Sequence, residues 1–235
     1  EALCTTGNGY LAVRGAAPEC DAGQFHYPGT YVAGVYNRLT DTVAGVTIDN
    51  ESLVNLPNWL PLKLRVDGAE VLRLADVEVL DYRHRLDLRA AVLTRHLRFR
   101  DREGRETELV SRRFTSMASM HHAYLEWTLT PLNWSGPAEV VSAIDGRVTN
   151  DGVPRYRDLE GTHLHPVGTE FPEPEVMALK TRTRQSEVTV SVAARTCVLA
   201  AGRPVEVPRT DFRTPDHVQQ TLHLDLERGV PVTVE

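Results

Sequence analysis

Cysteine is scarce in this 235-residue chain: Cys4, Cys20 and Cys197 make an odd number, with no CxxC or Cys/His spacing suited to zinc. They are read as reduced thiols, and no disulfide framework is expected. Long hydrophobic runs are also lacking, none approaching the roughly 20 residues a helical membrane span requires. Basic charge is not in excess: 26 Lys and Arg against 32 Asp and Glu give a formal net charge of −6, with the two signs interleaved. Nucleic acid is therefore not an expected partner, since binding it needs a positive footprint. No GxSxG elbow, HExxH pair or P-loop occurs. No signal peptide is visible, which points to the cytoplasm. The chain opens on Glu1 rather than Met, so residues are expected to be missing at its ends.

What is present is a period of two. Ala123, Leu125, Trp127 and Leu129 alternate with Tyr124, Glu126 and Thr128, and Leu222, Leu224 and Leu226 alternate with Thr221, His223 and Asp225. These are half-buried strands. Asp67-Gly68 predicts a hairpin between Leu62–Val66 and Glu70–Leu74, and Asp101–Gly104 a second one between His96–Arg100 and Arg105–Phe114. Asp87–Leu97 is the best helical window, but its apolar residues also fit alternation, and it is read as strand and loop. Val188, Val190 and Val192 alternate until Ala193-Ala194, a slip that suggests a β-bulge before Cys197. Gly161–Glu175, with three prolines, reads as the longest irregular stretch and cannot be a central strand. Fourteen prolines and sixteen glycines punctuate the chain as in many-stranded sandwiches, and at this length one domain can bury about three quarters of its unfolded surface.

Candidate chemistry is sparse. Gly7-Asn8-Gly9 could suggest a phosphate cradle, but Tyr10–Val13 reads as a strand, so a tight turn braced by Asn8 is the simpler reading. Trp59, Trp127 and Trp134, with Tyr31, Tyr36, Tyr124 and Tyr156, invite sugar stacking. Trp127 lies on an apolar strand face and belongs to the core; Trp59, between Pro57 and Pro61, suits packing on a neighbouring domain; the role of Trp134, in a loop, is open. Ser111-Arg112-Arg113-Phe114 reads as a strand with one arginine outward and one toward a carboxylate, with a phosphate site as the sharper alternative. His163 and His165 share a strand face but lack a third metal ligand.

Six segments carry a more specific signal: GNGYLAVRG (Gly7–Gly15), PGTYVAGVYN (Pro28–Asn37), LVNLPNWLPL (Leu53–Leu62), YRHRLDLRAAVLTR (Tyr82–Arg95), SRRFTSMASMHHAYLEWTLTPLNWSG (Ser111–Gly136) and IDGRVTNDGVPRYRDLEGTHLHP (Ile144–Pro166). Together they resemble the N-terminal domain of glycoside hydrolase family 65, the group of maltose, trehalose and kojibiose phosphorylases and acid trehalases. The resemblance implies an all-β fold, a two-sheet antiparallel super-sandwich of the galactose mutarotase-like type. It also implies a longer parent, in which a helical linker, an (α/α)6 barrel with the catalytic glutamate and a small C-terminal β-domain follow. No position here matches that glutamate. The departures are mild: Cys4 stands where a bulky apolar residue is common, and Ala12 where glycine is.

The resemblance then implies a non-catalytic domain that buttresses the barrel and builds a homodimer. The parent reaction would be inverting phosphorolysis of an α-linked glucose disaccharide. Phosphate would serve as co-substrate, and no metal or organic cofactor is implied. Asn8, Tyr10, Arg14, Trp59 and Trp134 are the expected contacts to carbohydrate or to the catalytic domain. The competing reading is a free-standing carbohydrate-binding or mutarotase-like sandwich using His163 or His165 with Glu170.

Overall fold

A computed structural model describes residues 1–23, 25–43, 45–151 and 159–235; Tyr156 and part of the Ile144–Pro166 segment lie outside them. Strands are numbered in chain order. A seven-stranded sheet runs β16 (Arg203–Val205), β15 (Val198–Ala200), β19 (Val232–Val234), β10 (Ala123–Pro131), β9 (Glu106–Thr115), β8 (Val92–Arg100), β7 (Glu78–Asp87). Facing it is a four-stranded sheet ordered β17 (Arg209–Thr214), β18 (His217–Leu226), β11 (Gly136–Asp145), β6 (Leu62–Val66). Three smaller sheets extend the layers: β1 (Thr6–Gly7), β2 (Leu11–Val13) and β3 (Thr30–Val32); β12 (Leu164–Glu173), β13 (Val176–Thr183) and β14 (Thr189–Arg195); and the hairpin β4 (Tyr36–Val43), β5 (Val46–Leu53). The described ladders are all antiparallel. Among the described residues no helix is long and apolar enough to cross a membrane.

The alternation in sequence becomes the two walls of the core. Leu97, Phe99, Leu109, Trp127, Leu129 and Val234 from the large sheet meet Leu64, Val140, Leu222 and Leu226 from the smaller one, all buried. The layers are thus cemented by apolar side chains at alternate positions, as a sandwich requires. A second cluster, Leu11, Val13, Ala16 and Leu60, seats β1–β3 at one end, and a third, Ile144, Met177, Leu179 and Val218, ties β13 to β11 and β18.

The Asp101–Gly104 hairpin forms between β8 and β9, with Gly104 at φ 79°. Asp87–Leu97 is strand, turn and strand. Three expectations need correction. Asp67 (φ 51°) and Gly68 (φ 68°) do make the tight turn, but Glu70–Leu74 does not return as a strand: β6 pairs with β11 instead, and only the Leu72 amide reaches back to Leu64. Partnering a long buried strand wins over a local hairpin. There is no bulge in β14, whose register with β13 is continuous; Ala194 keeps the inward alternation and the small Ala193 is simply exposed. Finally, Gly161–Glu175 is not irregular. Pro166 and Pro172 sit on β12, an edge strand with register shifts at Pro166/Gly168 and Glu170/Glu173, where a missing donor is tolerated, and Pro174 is in the turn that follows.

Candidate functional site

The five expected contact residues do not form one site. Asn8 closes the β1–β2 turn: its Oδ1 accepts from the amides of Tyr10 (3.1 Å) and Leu11 (2.8 Å), while Gly9 takes φ 86°. Its Nδ2 crosses to the β9–β10 connection, donating to the carbonyls of Ser116 (2.7 Å) and Met120 (3.1 Å). Tyr10 follows the same path, meeting the His121 ring edge-on at 4.7 Å. Next to them Phe114 stacks on Tyr124 at 5.0 Å, both exposed, and Met117 and Met120 are exposed in the connection. One end of the β9–β10 hairpin therefore presents aromatic rings and thioethers to solvent, braced from beneath by Asn8 and Tyr10.

Arg14 faces elsewhere. Its Nε donates to the Tyr27 carbonyl (3.0 Å), its guanidinium lies 5.0 Å from the Tyr27 ring centre, and the Tyr31 hydroxyl donates to that of Tyr27 (3.0 Å). Trp59 is half-buried between two apolar clusters of this same domain. Trp134 is buried: its Nε1 donates to Thr107 Oγ1 (3.0 Å) and Arg105 covers the ring at 6.0 Å. Its polar handle and one face are thereby engaged within the domain.

The arginine pair in β9 divides as the alternation requires, but with a different partner. Arg112 points out toward Glu126 (3.7 Å), whereas buried Arg113 pairs with no carboxylate among the described residues and donates to the carbonyls of Ala16 (3.1 Å) and Arg14 (2.9 Å). Burial and the neighbouring Arg95 charge push Arg113 down to about 10. The buried carboxylate, Glu19, belongs to Arg95, which grips it with two bonds of 2.5 and 2.7 Å. Sequence reasoning missed this pair because Glu19 arrives from a loop 76 residues away, outside any motif.

The histidines of the competing reading are not assembled with Glu170. His163 is buried, its Nδ1 accepting from Asn37 Nδ2 (2.9 Å), and burial pulls its pKa below the ordinary value. His165 and Glu170 are exposed on β12 to either side of its first register shift. Among the described residues no hydrogen bond joins either histidine to Glu170.

A polar cleft of about 180 Å³ opens on the outer face of the four-stranded sheet, where Lys63, Asp145, His217 and Gln219 project from β6, β11 and β18. Burial raises the pKa of Asp145, but the Arg147 side-chain and backbone bonds outweigh it and hold the carboxyl below the usual range.

The profile of the glycosyl hydrolase family 65 N-terminal domain matches residues 1–235. A protein of Mycobacterium tuberculosis named as an uncharacterized glycosyl hydrolase is 46% identical over 100% of this chain and 18% of its own length. A kojibiose phosphorylase of Caldanaerobacter subterraneus is 35% identical over 67% of the chain and 19% of its own length. A trehalose 6-phosphate phosphorylase of Lactococcus lactis is 28% identical over 99% and 28% respectively. A solved structure from the human microbiome, described provisionally as a kojibiose phosphorylase, superposes over the full chain and 30% of its own length with a TM-score of 0.81 at 18% identity, which establishes the shared fold. The matched part of the chain thus spans 18–30% of the length of these relatives. With the profile matched from end to end and the sandwich in place, this chain belongs to the family of glycosyl hydrolase family 65 N-terminal domains.

Proposed function

We propose that residues 1–235 are the non-catalytic first domain of a longer disaccharide phosphorylase, whose (α/α)6 barrel lies outside this chain. The exposed Phe114, Met117, Met120 and Tyr124 beside the Asn8 turn carry the docking part of this reading. Apolar groups gathered at one end of a hairpin and braced by the Asn8 hydrogen bonds suit a surface that another domain covers. The occupant we assign is the parent's own barrel, since the named relatives extend three to five times beyond the matched length. Asn8 and Tyr10 then act as positioning residues for that surface, and Arg14, Trp59 and Trp134 as internal supports.

The parent reaction we infer is phosphorolysis of an α-linked glucose disaccharide such as maltose, trehalose or kojibiose, with inversion, in a cytoplasmic homodimer needing no metal or organic cofactor. Relatives named kojibiose and trehalose 6-phosphate phosphorylase support the reaction class, and three free thiols support a reducing compartment. The test is phosphate-dependent glucose 1-phosphate formation from maltose, trehalose, kojibiose and nigerose, run on this chain and on the full-length gene product. Turnover confined to the full-length protein is expected. Turnover by the chain alone would overturn the reading.

A further inference from the structure

We propose that the cleft on the outer face of the four-stranded sheet is a binding site for a neutral saccharide ring. It involves none of the contact residues discussed above, and it stands apart from the accessory-domain reading. Its volume of about 180 Å³ equals on the order of six waters' share of liquid, room for one pyranose ring with its hydroxyls. Val141 and Ala143 of β11 contribute an apolar strip to its lining, bordered by polar side chains from both neighbouring strands. Such a mixture matches the two characters of a sugar, C–H faces and hydroxyl edges.

Charge decides against an anion. Both strong cations of the lining are already held: Lys63 by Asp21, and Arg147 by Asp145 through bonds of 2.8 and 2.7 Å. Asp21 and Asp145, the carboxylates that hold them, line the cleft too. Among the described residues of the lining, a phosphate would meet no unengaged Lys or Arg.

Hydrogen-bond inventory points instead to a hydroxyl ligand. Arg147 donates toward His217 Nδ1 (3.4 Å), so the proton of the neutral ring is on Nε2, which donates to Gln219 Oε1 (3.1 Å). That chain fixes the Gln219 amide and leaves its NH2 without a hydrogen-bond partner among the described residues. Asn58 is set the same way: its Oδ1 accepts the Leu60 amide (3.1 Å), and among the described residues its NH2 has no hydrogen-bond partner. Two oriented amide donors in one cleft are the kind of groups that select hydroxyl oxygens. Phe212 lies outside the lining, directly across the β17–β18 ladder from Gln219 and 52% exposed; its ring centre is 6.5 Å from that of His217, at the rim, where a sugar face can stack.

The test is titration of the 15N-labelled chain with a panel of neutral hexoses, deoxyhexoses and glucose disaccharides, with inorganic phosphate alongside. Saturable shifts of the Gln219 and Asn58 side-chain amides at millimolar saccharide, absent with phosphate, are expected. Gln219→Ala should weaken that binding about tenfold and Phe212→Ala severalfold. If Gln219→Ala does not fold, Phe212→Ala on the exposed edge strand decides alone. No saturable shift at these amides with any saccharide, shifts driven by phosphate, or affinity unchanged in the folded variants would overturn the proposal.

Discussion

Replacing Glu19 by Gln should be the most damaging single-atom change in the domain. Arg95 and Glu19 have side chains 3% and 1% exposed and are joined by two charge-assisted bonds. Burial alone would lower the pKa of Arg95, but Glu19 reverses that and raises it, so the guanidinium stays charged. Without the carboxylate, that charge remains buried without its ion-pair partner, and Arg113, also buried and hydrogen-bonded to carbonyls, adds repulsion. Removing one partner of such a pair costs about 3–5 kcal/mol. For a chain of this length each kcal/mol shifts Tm by about 2–4 °C, so a fall of about 6–20 °C is expected in calorimetry or near-UV circular dichroism. A double variant, Glu19→Leu with Arg95→Met, should recover most of the loss, because a matched apolar pair has no charge left to desolvate. A single-variant loss below about 1 kcal/mol, or a double variant no better than the single, would refute the reasoning.

Asn8→Ala removes two turn-closing acceptor contacts and two donor bonds to the β9–β10 connection, and should lower stability by about 2–3 kcal/mol in urea unfolding. Asn8→Asp keeps only the acceptors and should lie between it and the parent. Gly15→Ala would drive a Cβ to 2.5 Å from Cys4 Cβ and 2.9 Å from the Cys4 carbonyl oxygen, displacing the Ala2–Cys4 turn at about 1–3 kcal/mol by the same assay. His163 and His84 are both held below the ordinary histidine pKa, chiefly by burial. Their neutral forms are favoured in the fold, so the unfolded chain takes protons first as pH falls below about 6.5, and stability declines from there downward. Urea midpoints between pH 7.5 and 5.5 should show that decline, reduced in His163→Gln. Burial, with Glu19 nearby, pushes the Cys20 thiol up to about 12, so mass-resolved alkylation at pH 8 should find it at least a hundredfold slower than a free thiol.

Much of the sandwich was legible because a half-buried strand writes its own alternation. Leu222–Leu226 and Ala123–Leu129 lie as the pattern dictated, and the Asp101–Gly104 turn joins β8 to β9. What a local window cannot see is which strand finds which. Leu62–Val66 abandoned its neighbour for β11, more than seventy residues onward, and the proline-rich stretch became a strand because it lies at an edge. The same limit hid the cleft. Asn58, Asp145, His217 and Gln219 are converged by the sheet from three separate parts of the chain, and no spacing rule connects them. Arg113 shows the reverse error, since its inward direction was readable but its carbonyl partners were not.

The position of β19 between β10 and β15 has a consequence for biosynthesis. The seven-stranded sheet has a gap until Val232–Val234 arrive, because β15 and β16 reach β10 only through that strand. Trp127 pairs with Val234 across more than a hundred residues of sequence, a non-local closure that slows folding. On the ribosome the nascent domain cannot seal its sheet until that last strand emerges. Until then the incomplete chain exposes an open ladder that chaperones and proteases can recognise.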